Sequence, residues 1–201
     1  MSNRFLIVVI CFLLVFVSNE ARSGVMTDSY VVLQEDLDSL TVSPNREKLD
    51  KNLQKIDVML KEDVNNPLTL MYKGIFTTIL ARDSYNIFKK KSYVNEGLSL
   101  MDSIDVSKYK NNKELYLRLL IMRGFANAQI PKSFNRSSVA LGDLVVVEKA
   151  KEFNSLIAKD KTRVYVGLSK AYTMQSNDTL GLEYKNKALN LDKEFALSLL
   201  E

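Results

Sequence analysis

YVGLSKAYTMQSNDTLGLEYKNKALNL, residues 165–191, decides how this chain is read. Tyr165, Leu168, Ser169 and Tyr172 recur at intervals of three, four and seven, which puts them on one face of a helix. The polar turn at 175–179 follows, with Asp178 or Thr179 placed to cap a second helix. In that helix Gly181, Tyr184 and Ala188 form a facing stripe, so small residues stand where two helix backbones must approach each other.

Working outward, two earlier stretches resemble one another. Leu70-Met71-Tyr72-Lys73-Gly74-Ile75-Phe76 and Leu120-Ile121-Met122-Arg123-Gly124-Phe125-Ala126 share three apolar residues, a base, a glycine and two further apolar residues. If each glycine takes the small-residue place of Ser169, the chain holds three helix pairs. Their first helices start near Pro67, Asn112 and Lys161, and their second helices run from Tyr93 to Ile104, Ser138 to Phe153 and Thr179 to Leu191. Further upstream, Tyr30, Leu33, Leu37 and Leu40 predict a helix within 25–41. Another should start at Ser43-Pro44, with Ser43 as cap, and bury Leu49, Leu53, Ile56 and Leu60.

The stretch at 165–191 resembles one tetratricopeptide repeat. That motif wants an aromatic, Leu, a small residue and Tyr in its first helix, then small, aromatic and Ala in its second. Tyr165, Leu168, Ser169, Tyr172, Gly181 and Ala188 match, and Tyr184 lies one residue before the usual aromatic place. Lys185 and Lys193 depart, standing where an aromatic and a proline are usual. Intervals of 50 residues from Gly74 to Gly124 and 45 from Gly124 to Ser169 also exceed the repeat's 34. The resemblance implies an all-α fold: a short right-handed superhelix of antiparallel helix pairs over 67–201, preceded by N-terminal helices at 24–66. It further implies a groove along the first helices that takes a peptide or partner helix. By the repeat spacing, Lys73, Arg123, Asn127 and Lys170 lie beside the core stripe and suit an acidic or carboxylate ligand. Lys73 and Arg123 are alternatively held inside the array by a carboxylate such as Asp143.

Residues 1–23 read as a signal peptide. Arg4 precedes an unbroken apolar run over 5–17, and Ala21-Arg22-Ser23 offers small residues for cleavage. The run is short for a transmembrane helix, and an uncleaved inner-membrane anchor is the alternative. The expectation is a periplasmic or secreted protein. Cleavage removes Arg4, Glu20 and Arg22, taking the net charge from +4 to +3, and removes the one cysteine, so no disulfide can staple the mature chain.

The chain contains no histidine, which excludes Ser-His-Asp and Cys-His catalysis and zinc sites built on histidine. Neither GxxxxGK[ST] nor GxGxxG occurs. Ser107 and Lys110 fit SxxK spacing without the partner motifs of serine–lysine acylases, and Glu35-Asp36 and Glu62-Asp63 read as solvated surface. No enzyme activity, cofactor or metal is expected. Lys89, Lys90 and Lys91, with Lys108, Lys110 and Lys113, form either a solvated face or a basic surface for lipid headgroups, envelope polysaccharide or an acidic partner. Tyr85 and Phe88, in an expected loop at 84–91, and Phe134, in a loop at 130–137, are read as tucked beneath their loops, the alternative being that they are held out for a partner. The apolar tail from Phe195 to Leu200 either folds back on the last pair or makes a homodimer contact. The functional expectation is a non-enzymatic scaffold or adaptor that binds a protein or peptide. The alternative is an accessory subunit for solute uptake or envelope assembly, with a small molecule or lipid in an apolar cavity near Phe134.

Overall fold

The computed structural model describes residues 28–200, and these are helical throughout apart from short connections. The fold is all-α. Compact packing divides the chain into Met1–Ser39 and Leu40–Glu201. A helix at 28–42, α1, carries Tyr30, Leu33 and Leu40 buried and Leu37 half-buried at the predicted spacing. The signal-peptide reading of 1–23 falls outside the described residues.

In the larger unit α2 covers Arg46–Glu62. Its cap is Asn45, whose Oδ1 accepts the Lys48 N–H at 2.9 Å, and not Ser43. The carboxamide reaches the orphan amide of the first turn and leaves Pro44 outside the helix. The buried face is also turned by one residue from the expected one: Asn52 and Met59 are buried with Leu49 and Ile56, while Leu53 and Leu60 flank them. Asn52 tolerates this because its Nδ2 donates to the Lys48 carbonyl at 2.9 Å.

The α3 helix, Pro67–Arg82, starts as the sequence predicts. Asn66 Oδ1 accepts the N–H groups of Leu68 and Thr69, both at 3.1 Å, and Pro67 occupies the position where no amide hydrogen is needed. The next helix, α4, covers Ile87–Asp102 and begins six residues before the expected Tyr93. Asn86 Oδ1 caps it by accepting from Phe88 at 2.9 Å and Lys89 at 3.1 Å. Three lysines at the positive end of a helix dipole argue against a start there, and that conflict misplaces the boundary in the sequence.

Beyond a 3₁₀ turn at Val106–Tyr109, α5 spans Lys113–Gln129 behind the cap Asn112, near its predicted start. The α6 helix, Ser137–Glu148, ends five residues short of Phe153 and gives way to a 3₁₀ turn, Lys151–Ser155. That turn brings Phe153 edge-on to Tyr165, with ring centres 5.6 Å apart. The α7 helix covers Ala158–Met174 and α8 covers Asp178–Leu191, capped by Asn177 rather than by Asp178 or Thr179. A last helix, α9, spans Lys193–Leu200.

The closest-packed neighbours are α3 with α4, α7 with α8 and α5 with α6, the three predicted pairs. Each pair crosses at its small residue. A Cβ added to Gly74 would meet the Gly97 carbonyl oxygen at 2.8 Å, and one added to Gly124 would meet Leu144 Cγ at 2.7 Å. In the third pair Ser169 Oγ donates to the Gly181 carbonyl at 2.7 Å. Tyr184 fills the aromatic place, stacked on Tyr172 with ring centres 5.6 Å apart, and Lys185 is exposed. First helices of 16 or 17 residues and the intervening 3₁₀ turns account for the long intervals between repeats. The row of first helices runs α3, α5, α7, with α5 lying broadly on α7 and lightly on α3. The tail folds back: α9 buries Ala196 and Leu199 against Val166 of α7 and Ala188 of α8.

Candidate partner-binding site

The candidate residues Lys73 and Arg123 sit at matching places in their repeats, one residue before the crossing glycine, yet they turn to different neighbours. Lys73 Nζ pairs with Asp57 of α2 at 2.9 Å. Arg123 meets Asp143 of α6 through two parallel hydrogen bonds, Nε and Nη2 each donating at 2.8 Å. Both members of that pair are largely buried, with side-chain exposures of 16% and 8%, and the bonds to Asp143 raise the guanidinium pKa. Asp143 is the carboxylate that the sequence reading named as an internal partner.

Asn127 lies one helical turn beyond Arg123 and is fully buried. Its Nδ2 donates to the Arg123 carbonyl at 2.8 Å, and its Oδ1 accepts from Arg136 Nε at 2.6 Å. Arg136 also grips Asp102, at the end of α4, through Nη1 at 3.0 Å and Nη2 at 2.6 Å. One chain of polar contacts therefore runs from α4 through the 130–137 connection to α5 and α6. Asn127 is engaged through both its amide nitrogen and its oxygen, and Arg123 through Nε and Nη2, so these two residues set the spacing of the helices around the inner row.

Lys170, on α7, is placed differently. Its Nζ donates to Gln129 Oε1 of α5 at 2.6 Å and to the Leu199 carbonyl of α9 at 2.7 Å. Both acceptors are neutral, and among the described residues no carboxylate pairs with this ammonium. Burial holds its pKa below the ordinary lysine value of 10.5. The sign of the resulting pH dependence follows from linkage. As pH rises toward 10.5 the folded lysine has released a proton that the unfolded chain still holds, so folding becomes more favourable. Wild type should therefore gain stability relative to Lys170→Met between neutral pH and that value, read from urea midpoints. A constant difference across the range would mean that water reaches the ammonium freely.

The other groups singled out in the sequence are dispersed. Ser107 Oγ donates to Asp105 Oδ1 at 2.6 Å, so Asp105 caps its turn and Ser107 has no lysine base. Asp63 stays in the connection between α2 and α3, accepting from Asn65 N–H and Asn66 Nδ2, both at 3.3 Å. The lysine set does not gather on one patch. The group at 89–91 starts α4, while Lys108, Lys110 and Lys113 follow its far end, 16 residues and roughly 24 Å away along the helix. The expected tucking of loop aromatics holds in part for Phe134, which is half-buried, and fails for Tyr85 and Phe88. An earlier helix start leaves those two exposed at a corner, with nothing above them among the described residues.

Gln129, Arg136 and Asp102 complete the polar contacts, and no spacing in the sequence marks them, since each acts on a different helix. No cluster of carboxylates able to hold a metal occurs among the described residues, and no helix there is long and apolar enough to cross a membrane. No protein-family model, curated protein or solved structure matches the chain.

Proposed function

We propose that the chain is a non-enzymatic, exported binding module of tetratricopeptide-like build, which holds an acidic peptide or the carboxyl end of a partner protein on its row of first helices. Lys170 carries this reading. It is a half-buried ammonium on α7, the last helix of the row, satisfied by two neutral oxygens alone. A carboxylate arriving there replaces a neutral acceptor by a charged one, which is worth about twice as much per hydrogen bond, and offsets the cost of burying the charge. The docking of α9 supports the same reading, because an amphipathic helix already lies on this part of the array with its apolar side inward. Arg123 and Asn127 serve the site by holding α5 and α6 in place, and Lys73 by holding α3 to α2. Export rests on the apolar run at 5–17.

The test is affinity capture from a cell-envelope extract with the tagged full chain and its Lys170→Met variant, eluting with acidic peptides that end in a free carboxylate or an amide. The expected result is a protein retained by wild type, lost by the variant and eluted by the free acid only. Equal retention by both chains, or equal elution by acid and amide, would remove Lys170 from the function.

A further inference from the structure

The corner between α3 and α4 holds its apolar side chains out in a way no other part of the array does. Tyr85, Phe88 and Ile87 are 105%, 82% and 70% exposed. Single exposed apolar residues are ordinary on a protein surface, but these three fall within four positions and share one tip. Helical Cα–Cβ bonds tilt toward the helix N-terminus, so Ile87 and Phe88 lean out past the end of α4, where Tyr85 stands. The tip is also firmly built. Asn86 accepts two backbone N–H groups through its side chain, and its carbonyl accepts the Lys90 N–H at 2.9 Å.

Lys89, Lys90 and Lys91 follow at once. Their ammonium groups have no hydrogen-bond or ion-pair partner among the described residues, and the first turn of α4 has no acidic residue. The nearest acid in the connection, Asp83, is paired with Arg82 at 3.1 Å. Three cations crowd one another at the positive end of a helix dipole, a place where each is locally unfavourable. Their charge is complementary to a dense sheet of anions, and their aliphatic stems can lie flat while the ammonium groups face outward.

We infer that this tip docks on the surface of an anionic lipid bilayer. Phe88, Ile87 and Tyr85 enter the boundary between headgroups and acyl chains, and the three lysines lie among the phosphates. A bilayer fits better than a folded protein partner because side chains this exposed stand clear of any groove, and a bilayer yields around them. Aromatic and aliphatic residues ringed by lysine are the chemistry of interfacial attachment, in which apolar burial and headgroup attraction add. The surface lies on a different helix pair from Lys170, so this inference stands or falls independently of the binding-module reading.

The chain has no tryptophan, which makes a clean reporter available. Full-length Phe88→Trp is titrated with vesicles of phosphatidylcholine alone and of equimolar phosphatidylcholine and phosphatidylglycerol. Full-length Leu182→Trp, at an exposed position on α8, serves as the reporter away from the tip. The expected result is a blue shift of Phe88→Trp emission with the anionic vesicles only, no shift for Leu182→Trp, and reversal by salt. Adding Lys89→Glu, Lys90→Glu and Lys91→Glu should weaken the anionic binding about 100-fold, each lysine contributing about 1 kcal/mol near such a surface. Circular dichroism should show the triple variant as helical as wild type, since glutamate suits a helix start better than lysine does. A shift of equal size on phosphatidylcholine alone, an affinity unchanged by charge reversal, or a matching shift of Leu182→Trp through the N-terminal run would each overturn the inference. Absence of any shift would leave the tip to a protein partner and overturn it as well.

Discussion

Asp143→Ala is expected to lower stability by about 3 kcal/mol, the lower end of the range for removing one member of a buried ion pair. Arg123 cannot follow the loss by turning to solvent. Its side chain is 16% exposed and is fixed between α5 and α6 by the two bonds that the substitution deletes. The uncompensated charge is the cost, more than the attraction forgone. For a chain of this length the loss corresponds to a fall of roughly 6 to 12 °C in the melting temperature followed by circular dichroism. Replacing both partners together, Arg123→Met with Asp143→Leu, should recover most of the loss, because two apolar side chains of similar volume leave no charge behind. A cost below about 1 kcal/mol for Asp143→Ala would put the pair in the class of solvated surface bridges.

Gly97→Val acts on backbone contact instead of charge. A Cβ at Gly97 would lie 2.5 Å from the Gly74 carbonyl oxygen, 2.5 Å from Thr78 Cγ2 and 3.0 Å from the Thr78 nitrogen. Side-chain atoms can rotate away, but a carbonyl in the middle of α3 cannot. The helices must separate, and the buried side chain of Met101 loses its close packing against Gly74. Overpacking of this kind costs about 3 kcal/mol, reduced by a few tenths through the better helix propensity of valine. The control is Gly142→Ala, an exposed glycine within α6 whose added Cβ meets nothing within 4 Å. That change should stabilise the chain by up to about 1 kcal/mol. Equal thermal melts for Gly97→Val and wild type would mean that α3 and α4 are not held at backbone distance.

These two sites differ in how far the sequence reveals them. Gly74 and Gly124 are legible because the same seven-residue pattern surrounds both, and a helix crossing leaves its mark in the residue that must be small. The starts at Pro67 and Asn112 are legible for a local reason too, since proline and asparagine act on their own turn. The start of α4 is not, because the residues there contradict the dipole rule and only the Asn86 cap and the packing of Val94, Leu98 and Met101 on α3 outweigh it. The buried face of α2 is misread by one residue because Asn52 satisfies itself within its own helix, which no periodicity of apolar residues reports. At the candidate site the residue types are legible and their partners only partly so. Asp143 can be named in advance for Arg123, whereas Arg136 reaches Asn127 and Asp102 across nine and 34 residues, through a connection whose path the sequence leaves open.

The grip of Arg136 on Asp102 bears on how the array comes apart. The first pair meets the second through a light contact of α3 with α5, a 3.3 Å bond from Arg118 to the Tyr72 hydroxyl, and this guanidinium–carboxylate clasp. Asp102 is half open to water, so dissolved ions compete for it. Within a stack of nearest-neighbour repeats, the weakest junction is where cooperativity breaks. Amide hydrogens of α3 and α4 should therefore exchange as a block ahead of those in α5, α7 and α8, and ionic strength should widen the gap between the two blocks. The array then behaves as a stable core with a detachable first pair, and the lysine-tipped corner belongs to the part that detaches.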